Sequence, residues 1–353
     1  MDIYSLFMFV AVMLSITIPN KTINKDKFQD RSKKYYCLIL GLLLFFIAAL
    51  RATSVGNDSG QYARHFYNLQ QFDFKWIINN YQKDPAFYYF VKILTYITSN
   101  HQWMFAIIGG FYSFSISRFI YKYSKDPMVS FVILITMSYF AFSLTGLRQT
   151  IAIAIILFSY NYIIQKKLFK FLIIVTVASL FHQSALFFLP AYFISNKQVN
   201  NKKVLVGLLA VPIVFVLRPL LVSIVQALLY ETYSIDLDQG AGGWATLFVY
   251  FLIIIVAVVF SKQIKNEYFP FFLRMMYVGA LIQMFVPLQP NIFRVSMYYN
   301  IVSIILIPDI IKTQKDKFSK VIAYSLFFIL MGIQYYVFTY YAAGVQPYKF
   351  FWQ

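Results

Sequence analysis

Charged residues are scarce in this chain, and acidic ones are the scarcest. Only 12% of the 353 residues are charged, with 13 Asp and Glu against 31 Lys and Arg. A soluble globular domain carries about 25% charged residues. The composition therefore excludes an ordinary soluble domain, and the 60% hydrophobic content predicts a protein that lies in a lipid bilayer.

Cysteine is almost missing, and several catalytic motifs are missing altogether. The one cysteine, Cys37, lies inside an apolar segment, so the sequence has neither a disulfide framework nor a cysteine pair for a metal. It also lacks a phosphate-binding loop, zinc-ligand spacing and a serine nucleophile elbow. We therefore expect no metal and no cofactor, and we expect His65 and His101 to lie in loops without ligand partners nearby.

The formal net charge of +18 raises the question of nucleic acid binding. Most lysines, however, fall in short loops between apolar segments, which is the positive-inside pattern of membrane proteins. No basic face with interleaved aromatic residues stands apart from that pattern. The charge therefore predicts a bilayer as the partner and excludes nucleic acid.

Apolar runs of membrane-spanning length recur from one end of the chain to the other. They predict an all-α, polytopic integral membrane protein with about 10–12 transmembrane helices, plus re-entrant or interfacial segments. They leave no room for a separate soluble domain, so residues 1–353 are predicted to form one transmembrane domain. The predicted spans are Ile3–Ile18, Tyr35–Leu50, Trp103–Phe119, Met128–Leu144, Gln149–Ile164, Val204–Leu229, Trp244–Phe260, Pro270–Val286, Ile292–Pro308 and Val321–Tyr341.

The positions of the lysines predict the orientation of these spans. When all the basic loops are placed in the cytoplasm, three segments face outward: Thr53–Asp84, the acidic loop Glu231–Gly243, and Pro287–Asn291. Two further apolar stretches, Ala86–Thr98 and Phe169–Ile194, do not fit a simple alternation of crossings. We interpret both as re-entrant or interfacial elements, the second broken near His182, and such elements tend to line a site.

Three arginines, Arg51, Arg148 and Arg294, each lie at the predicted outer end of an apolar segment. A charge beside the hydrocarbon core is unfavourable unless it has a partner or a function. The planar guanidinium group is suited to phosphate oxygens, so the three arginines suggest a site for a pyrophosphate-bearing lipid. The alternative interpretation is that each side chain simply extends to the membrane interface.

His182 lies in the middle of an apolar stretch, within Ser179–Ala185. Histidine changes charge close to neutral pH, which makes it the natural general base. The alternative is a histidine that ties two helices together by hydrogen bonds. Two acidic residues lie in the outer segment: Asp58 could orient a sugar hydroxyl or the base, or belong to an ordinary turn, whereas Asp84 before Pro85 is expected to cap a helix.

Three blocks of the sequence resemble the EpsG family, which belongs with the Wzy-type bacterial polysaccharide polymerases. The blocks are the segment from Arg51 to Tyr62 leading on to Asp84–Tyr88, then Leu147–Ala154, then Phe181–Leu186 ending at Leu189-Pro190. The resemblance implies a glycosyl transfer outside the cytoplasm, in a multi-pass protein of the bacterial inner membrane. A glycan on polyprenyl pyrophosphate would be moved onto a hydroxyl of the next lipid-linked repeat unit, with a flippase and a chain-length regulator as protein partners.

The residues suit that reaction, because arginines can stabilise a departing pyrophosphate without a metal. We assign Arg148 and Arg294 to the pyrophosphate, Arg51 to a third cation or a loop anchor, and His182 to the base. Asp58 is the alternative, since it could instead share or orient that proton. Further predicted contacts with the pyrophosphate or the sugars are Asn57, Tyr62 and Gln149.

Other functions use similar residues. A transporter or flippase for lipid-linked sugars would place polar sites near the middle of the bilayer, often with repeat symmetry, and no repeat is visible here. A membrane acyltransferase that modifies the glycan also uses a buried histidine. A ligase that joins finished glycan to another lipid would use the same arginine and histidine chemistry.

Overall fold

The structure is a computed structural model that describes residues 2–17, 25–194, 201–217, 220, 241–286, 289–314, 316–340 and 344–353. The acidic residues at 231–238 and the rest of the predicted span after Leu220 lie outside the described residues. The described chain divides into two compact units, Met1–Leu186 with Gln314–Gln353, and Phe187–Thr313. The prediction that residues 1–353 act as one domain stays a prediction.

The first unit is built from helices. They are α1 (Ile3–Thr17), α2 (Lys25–Ala49), α3 (Ser59–Gln71), α4 (Phe74–Asn80), α5 (Pro85–Ile97), α6 (Gln102–Tyr123), α7 (Pro127–Thr136), α8 (Tyr139–Thr145), α9 (Leu147–Ile164), α10 (Leu168–Phe181) and, near the end of the chain, α17 (Lys317–Gln334), which continues as a π-helix over Tyr335–Tyr340. A 3₁₀ helix, Gln183–Phe188, follows α10.

The second unit is also helical. Its helices are α11 (Ala191–Ile194), α12 (Asn201–Val216), α13 (Ala241–Phe260), α14 (Phe269–Gln283), α15 (Ile292–Asn300) and α16 (Ser303–Lys312). The helices α14 and α15 pack closely at Gly279, which has no Cβ atom. A Cβ atom there would lie only 2.0 Å from the Asn300 side chain. The Ser296 hydroxyl donates to the Gln283 side-chain oxygen at 2.7 Å in the same interface.

The all-α, polytopic prediction is confirmed. Six described helices are long and apolar enough to cross a membrane, or seven if the bent pair α7 and α8 counts as one span. Four shorter apolar segments accompany them: Ile3–Thr17, Leu168–Phe181, Gln183–Ile194 and Phe269–Gln283. The described residues form no β-strand; the only ladder contact among them is an isolated bridge between Arg51 and Phe350.

The predicted span Met128–Leu144 is not one helix. It is divided into α7 and α8, which meet at an angle of 52°. The break falls at Ser138, whose φ of 59° lies in the left-handed region that cannot continue a helix. The Thr339 hydroxyl donates to the carbonyls of Ile135 and Thr136 at 3.1 and 3.3 Å. It thereby supplies a partner to backbone groups near the break, as a bent membrane helix requires.

The two stretches predicted to be re-entrant are short helices. One is α5, which begins with Pro85 at its first position. In the other stretch, helix α10 ends at Phe181. His182 is then extended, with φ −155° and ψ 113°, before the 3₁₀ helix begins. The predicted break at His182 is therefore confirmed, and the relation of either helix to a bilayer stays a prediction.

Helices α2, α6 and α9 have one basic end in common. The Lys33 ammonium donates to the Ser124 carbonyl at 2.7 Å, and Lys122 at the end of α6 hydrogen-bonds Asn161 near the end of α9. Helix α9 has 18 residues, so its opposite end, which carries Arg148, lies about 27 Å away. Arg148 therefore lies at the end of the bundle opposite to Lys33 and Lys122.

Small residues allow α2 and α6 to approach closely. A Cβ atom at Gly109 would lie 2.5 Å from the Ala48 Cβ, and one at Gly41 would lie 2.5 Å from the Ser117 hydroxyl. In lipid, close van der Waals packing of this kind replaces the hydrophobic effect as the force between helices. The contact between Gly109 and Ala48 holds together the ends of α6 and α2 that lie near Arg51.

We expect Gly109→Val to destabilise the folded protein by about 1–3 kcal/mol, because the added side chain would overlap Ala48. The measurement is thermal unfolding of the purified protein in detergent. Gly332→Val is the matched control, since nothing lies within 4 Å of a Cβ at this helical glycine. Equal melting temperatures for the two variants would contradict the packing described.

Candidate active site

A carboxylate, a guanidinium and an imidazole meet in the first unit. One Asp84 oxygen, Oδ2, accepts hydrogen bonds from Arg148 Nη1 at 2.9 Å and is paired with His182 Nδ1 at 3.1 Å. The other oxygen, Oδ1, accepts the backbone N–H of Gln183 at 2.8 Å. Residues far apart in the sequence are thus joined through one acidic side chain.

Each member of this cluster lies at the end of a helix. Asp84 directly precedes α5 and has a left-handed conformation, with φ 54° and ψ 47°. Arg148 lies in the first turn of α9, just after Gly146. His182 follows the last residue of α10, a helix that packs against both α9 and α5. The packing of three helices therefore sets the positions of the three side chains.

The cluster is partly closed to solvent. The side chains of Asp84 and His182 are 6% and 13% exposed, whereas Arg148 is 32% exposed. Burial raises the pKa of Asp84, but the hydrogen bonds from His182 and Gln183 and the charge of Arg148 outweigh that effect, so the pKa falls below its ordinary value. Asp84 is therefore ionised at neutral pH. The guanidinium of Arg148, the most exposed member of the cluster, is accessible to solvent.

Aromatic side chains and a second histidine surround the cluster. Tyr62 lies close enough to Arg148 to interact electrostatically with that guanidinium, and it packs edge-to-face on Phe87 with ring centroids 5.5 Å apart. Burial lowers the pKa of His65, and the charges of Arg148 and Arg64 lower it further. The His65 imidazole is therefore neutral at neutral pH, with its buried Nδ1 lacking a hydrogen-bond partner among the described residues.

Arg51 is buried and bonded to the backbone. It is 1% exposed; its guanidinium donates to the carbonyls of Ala48 at 2.6 Å and Leu144 at 3.1 Å, and lies 4.2 Å from the centre of the Phe105 ring. The Ser59 hydroxyl also donates to the Leu144 carbonyl, at 3.0 Å. These contacts fit the predicted loop anchor rather than a third cation on the substrate, because they hold the turn that leads into Arg148.

Segment 344–353 secures the same loop, which contains Ala52 and Gly56. The N–H of Gly56 donates to the Gly344 carbonyl, and the N–H of Ala52 donates to the Lys349 carbonyl, both at 2.9 Å. Gly56 has a φ of +95°, and a Cβ atom there would lie 2.5 Å from the Leu144 carbonyl oxygen. A side chain at this position would therefore push the loop away from the end of α8.

The other predicted site residues have different surroundings. Asn57 is exposed and lies against Gly344, while Asp58 is half-buried and makes no capping hydrogen bond to α3. Gln149 is buried within α9. Arg294 is half-buried in the first turn of α15, in the second unit, and its predicted contact with pyrophosphate stays a prediction. The carboxylate that joins His182 and Arg148 is Asp84, not Asp58.

Sequence reasoning undervalued Asp84 and the other histidines. Asp84 occupies the N-cap position of α5 with Pro85 after it, as expected, but its side chain makes no capping hydrogen bond and binds Arg148 and His182 instead. His65 lies inside α3 rather than in a loop, and His101, just before α6, pairs with the Tyr67 hydroxyl at 2.8 Å. The available signal for Asp84 was its rarity: acidic residues are few, and it adjoins one of the two apolar stretches expected to line a site.

Among the described residues, no group of three or more His, Cys, Asp or Glu side chains is arranged to hold a metal ion.

The fold and the cluster define a multi-pass helical membrane protein with a partly buried Asp–Arg–His centre. The EpsG family model matches residues 34–350, nearly the whole chain. The chain belongs to the EpsG family, a family of Wzy-type polysaccharide polymerases, which confirms the resemblance of the three sequence blocks. No curated protein and no solved structure matches it.

We expect Asp84→Asn to lower the thermal stability of the protein at pH 7, because the ionised carboxylate holds Arg148, His182 and the Gln183 N–H. A carboxyl with a lowered pKa stabilises the fold above its unfolded-state pKa of about 4. That stabilisation is lost as the pH falls through the lower, folded-state pKa. The difference between wild type and Asp84→Asn should therefore shrink below about pH 4.

Melting temperatures measured from pH 7 downward in detergent would test this dependence. Asp58→Asn is the control, because it removes a carboxylate of the same loop region that makes no capping bond. A constant difference between wild type and Asp84→Asn at every pH would show that the charge of Asp84 is not what stabilises the cluster.

Proposed function

We propose that this chain transfers a growing glycan from polyprenyl pyrophosphate to a hydroxyl group of the next lipid-linked repeat unit. Its family supports a polysaccharide polymerase in general terms. The finer proposal rests on one observation: a single Asp84 oxygen is bonded to both Arg148 and His182. A phosphate-binding cation and a candidate base are thereby held at the same carboxylate.

Arg148 is the group proposed to bind the pyrophosphate. It is the most exposed member of the cluster, and Asp84 is within reach of only part of its fork of N–H donors. The remaining donors can bind phosphate oxygens in a bidentate manner. The leaving pyrophosphate gains negative charge as its bond to the sugar breaks, so a fixed guanidinium at that point stabilises the transition state more than the ground state.

His182 is the proposed general base. Its Nδ1 faces Asp84, so a proton on Nδ1 leaves the lone pair of Nε2 free for the acceptor. Nε2 takes the proton of the acceptor hydroxyl as that oxygen forms its bond to the anomeric carbon. The bond from that carbon to the pyrophosphate oxygen breaks, and polyprenyl pyrophosphate leaves with the electron pair. Asp84 fixes the imidazole and stabilises its protonated form, as the acid of a catalytic triad does.

The proposal places this reaction at the extracytoplasmic face of the bacterial inner membrane. Support comes from the bundle of α2, α6 and α9, in which Lys33 and Lys122 lie at one end and Arg148 lies at the other. Lysine-rich ends favour the cytoplasm. The lipid-linked substrate must then be brought across the membrane by a flippase, and a chain-length regulator is the second protein partner that we propose.

We expect Arg148→Lys to reduce polymer synthesis about 100-fold, because lysine keeps the charge but cannot form the bidentate contact. The measurement is the length distribution of glycan in cells whose only copy of the gene carries the change. Single repeat units should accumulate. Arg118→Lys is the matched control, since Arg118 lies at the basic end of α6 against the Phe158 ring, far from Asp84.

His182→Ala should also abolish chain extension without lowering the amount of protein in the membrane. Normal long chains in either the Arg148 or the His182 variant would overturn the proposed chemistry. Loss of all glycan from the final acceptor, with no single units attached, would instead indicate a ligase.

Single cysteines introduced into a Cys37→Ala protein provide a test of the proposed face. Lys83 is exposed beside Asp84, and Lys125 is exposed after the basic end of α6. We expect a membrane-impermeant maleimide to label Lys83→Cys on intact cells and to label Lys125→Cys only after the cells are opened. Labelling of the Lys125 position alone on intact cells would place the cluster in the cytoplasm and contradict the proposal.

A further inference from the structure

Aromatic side chains of α3, α4 and α5 form a continuous row in the first unit. Phe72 stacks on Trp76 with centroids 3.8 Å apart, and Trp76 meets Tyr81 edge-on at 5.9 Å. Tyr81 stacks on Tyr88 at 3.9 Å, and His65 meets both tyrosines edge-on at 6.4 and 6.3 Å. We call this set of five residues the aromatic row.

The inner end of the aromatic row reaches the candidate active site. Tyr88 lies close enough to Arg148 and Asp84 for their charges to act on its hydroxyl. His65 lies close enough to Arg148 for the same to hold, and its buried Nδ1 has no hydrogen-bond partner among the described residues. The row therefore begins at the guanidinium proposed to hold pyrophosphate and leads away from it.

The outer end of the row is open to solvent and set among polar side chains. Phe72, Trp76 and Tyr81 are half-buried, and Asn79, Asn80 and Gln82 beside them are exposed. Aromatic residues that anchor a protein in lipid form belts at the interface and have no need of a buried ionic cluster. A row joined to such a cluster and flanked by amides is better suited to a ligand with both apolar and hydrogen-bonding surface.

We propose that the aromatic row is the saccharide subsite of this protein. The inference rests on the proposed function, because it takes Arg148 as the pyrophosphate contact. In a lipid-linked repeat unit the sugars follow the pyrophosphate in a line, and the row follows Arg148 in the same order. The C–H faces of sugar rings stack on aromatic rings, while the hydroxyl groups at their edges hydrogen-bond the exposed amides of Asn79, Asn80 and Gln82.

The test uses two lipid-free probes on the purified full-length protein in detergent. One is the oligosaccharide repeat unit released by partial acid hydrolysis from the polymer that the source cell makes, and the other is inorganic pyrophosphate. We expect Trp76→Leu to weaken oligosaccharide binding at least about fivefold and to leave pyrophosphate binding within about twofold. Titration by microscale thermophoresis gives both dissociation constants.

Two further variants separate stacking from general effects. Trp76→Phe keeps an aromatic ring and should retain most of the oligosaccharide affinity. Trp103→Leu removes an exposed tryptophan at the start of α6, outside the aromatic row, and should change neither constant. Oligosaccharide binding that is undetectable in the unchanged protein, or equally strong in Trp76→Leu, would overturn the saccharide subsite.

Failure of the saccharide subsite and failure of the proposed reaction can be distinguished by these measurements. Unchanged oligosaccharide binding in Trp76→Leu, together with loss of polymer in Arg148→Lys, removes the subsite and leaves the reaction standing. Trp76-dependent oligosaccharide binding, together with normal polymer in Arg148→Lys, does the reverse: the subsite stands as a glycan-binding site and the chemistry assigned to Arg148 fails.

Discussion

The buried carboxylate of Asp84 is the interaction on which the arrangement of this protein depends. It is 6% exposed, and both of its oxygens are occupied, one by Arg148 and His182 and the other by the Gln183 N–H. A buried charge is tolerated only when it is paired and hydrogen-bonded. Helix α9 must therefore begin, and helix α10 must end, where Arg148, His182 and the Gln183 N–H can reach the carboxylate that precedes α5.

The surrounding structure supports this arrangement through backbone carbonyls. Arg51 and Ser59 both donate to the Leu144 carbonyl, and Gly56 lets the outer loop lie directly against the same atom. Leu144 lies near the end of α8, four residues before Arg148. Arg51 has no carboxylate partner within the described part of the chain, and it supports the segment that leads to Arg148, which pairs with Asp84. Arg51 and Arg148 therefore have different surroundings, although their positions relative to the apolar segments of the sequence are similar.

Much of the fold could be predicted from the sequence, because long apolar runs and loop lysines act locally. The break at His182 could also be predicted, since a polar group interrupts an apolar run there. The bend at Ser138 could not, because it depends on Thr339, a distant residue that supplies hydrogen bonds near the break. Asp84 was misjudged for a similar reason: a helix cap is a local pattern, whereas its contacts with Arg148 and His182 exist only after three helices have packed.

The pairing of segment 344–353 with the outer loop has a consequence for biosynthesis. The hydrogen-bond partners of Ala52 and Gly56 are Lys349 and Gly344, which leave the ribosome only after α1 to α17 have been made. A nascent chain that has emerged as far as α17 still lacks the hydrogen bonds that segment 344–353 makes to that loop. Full anchoring of the end of the bundle that carries Asp84 and Arg148 therefore waits for translation of residues 344–353, which follows the synthesis of α1 to α17.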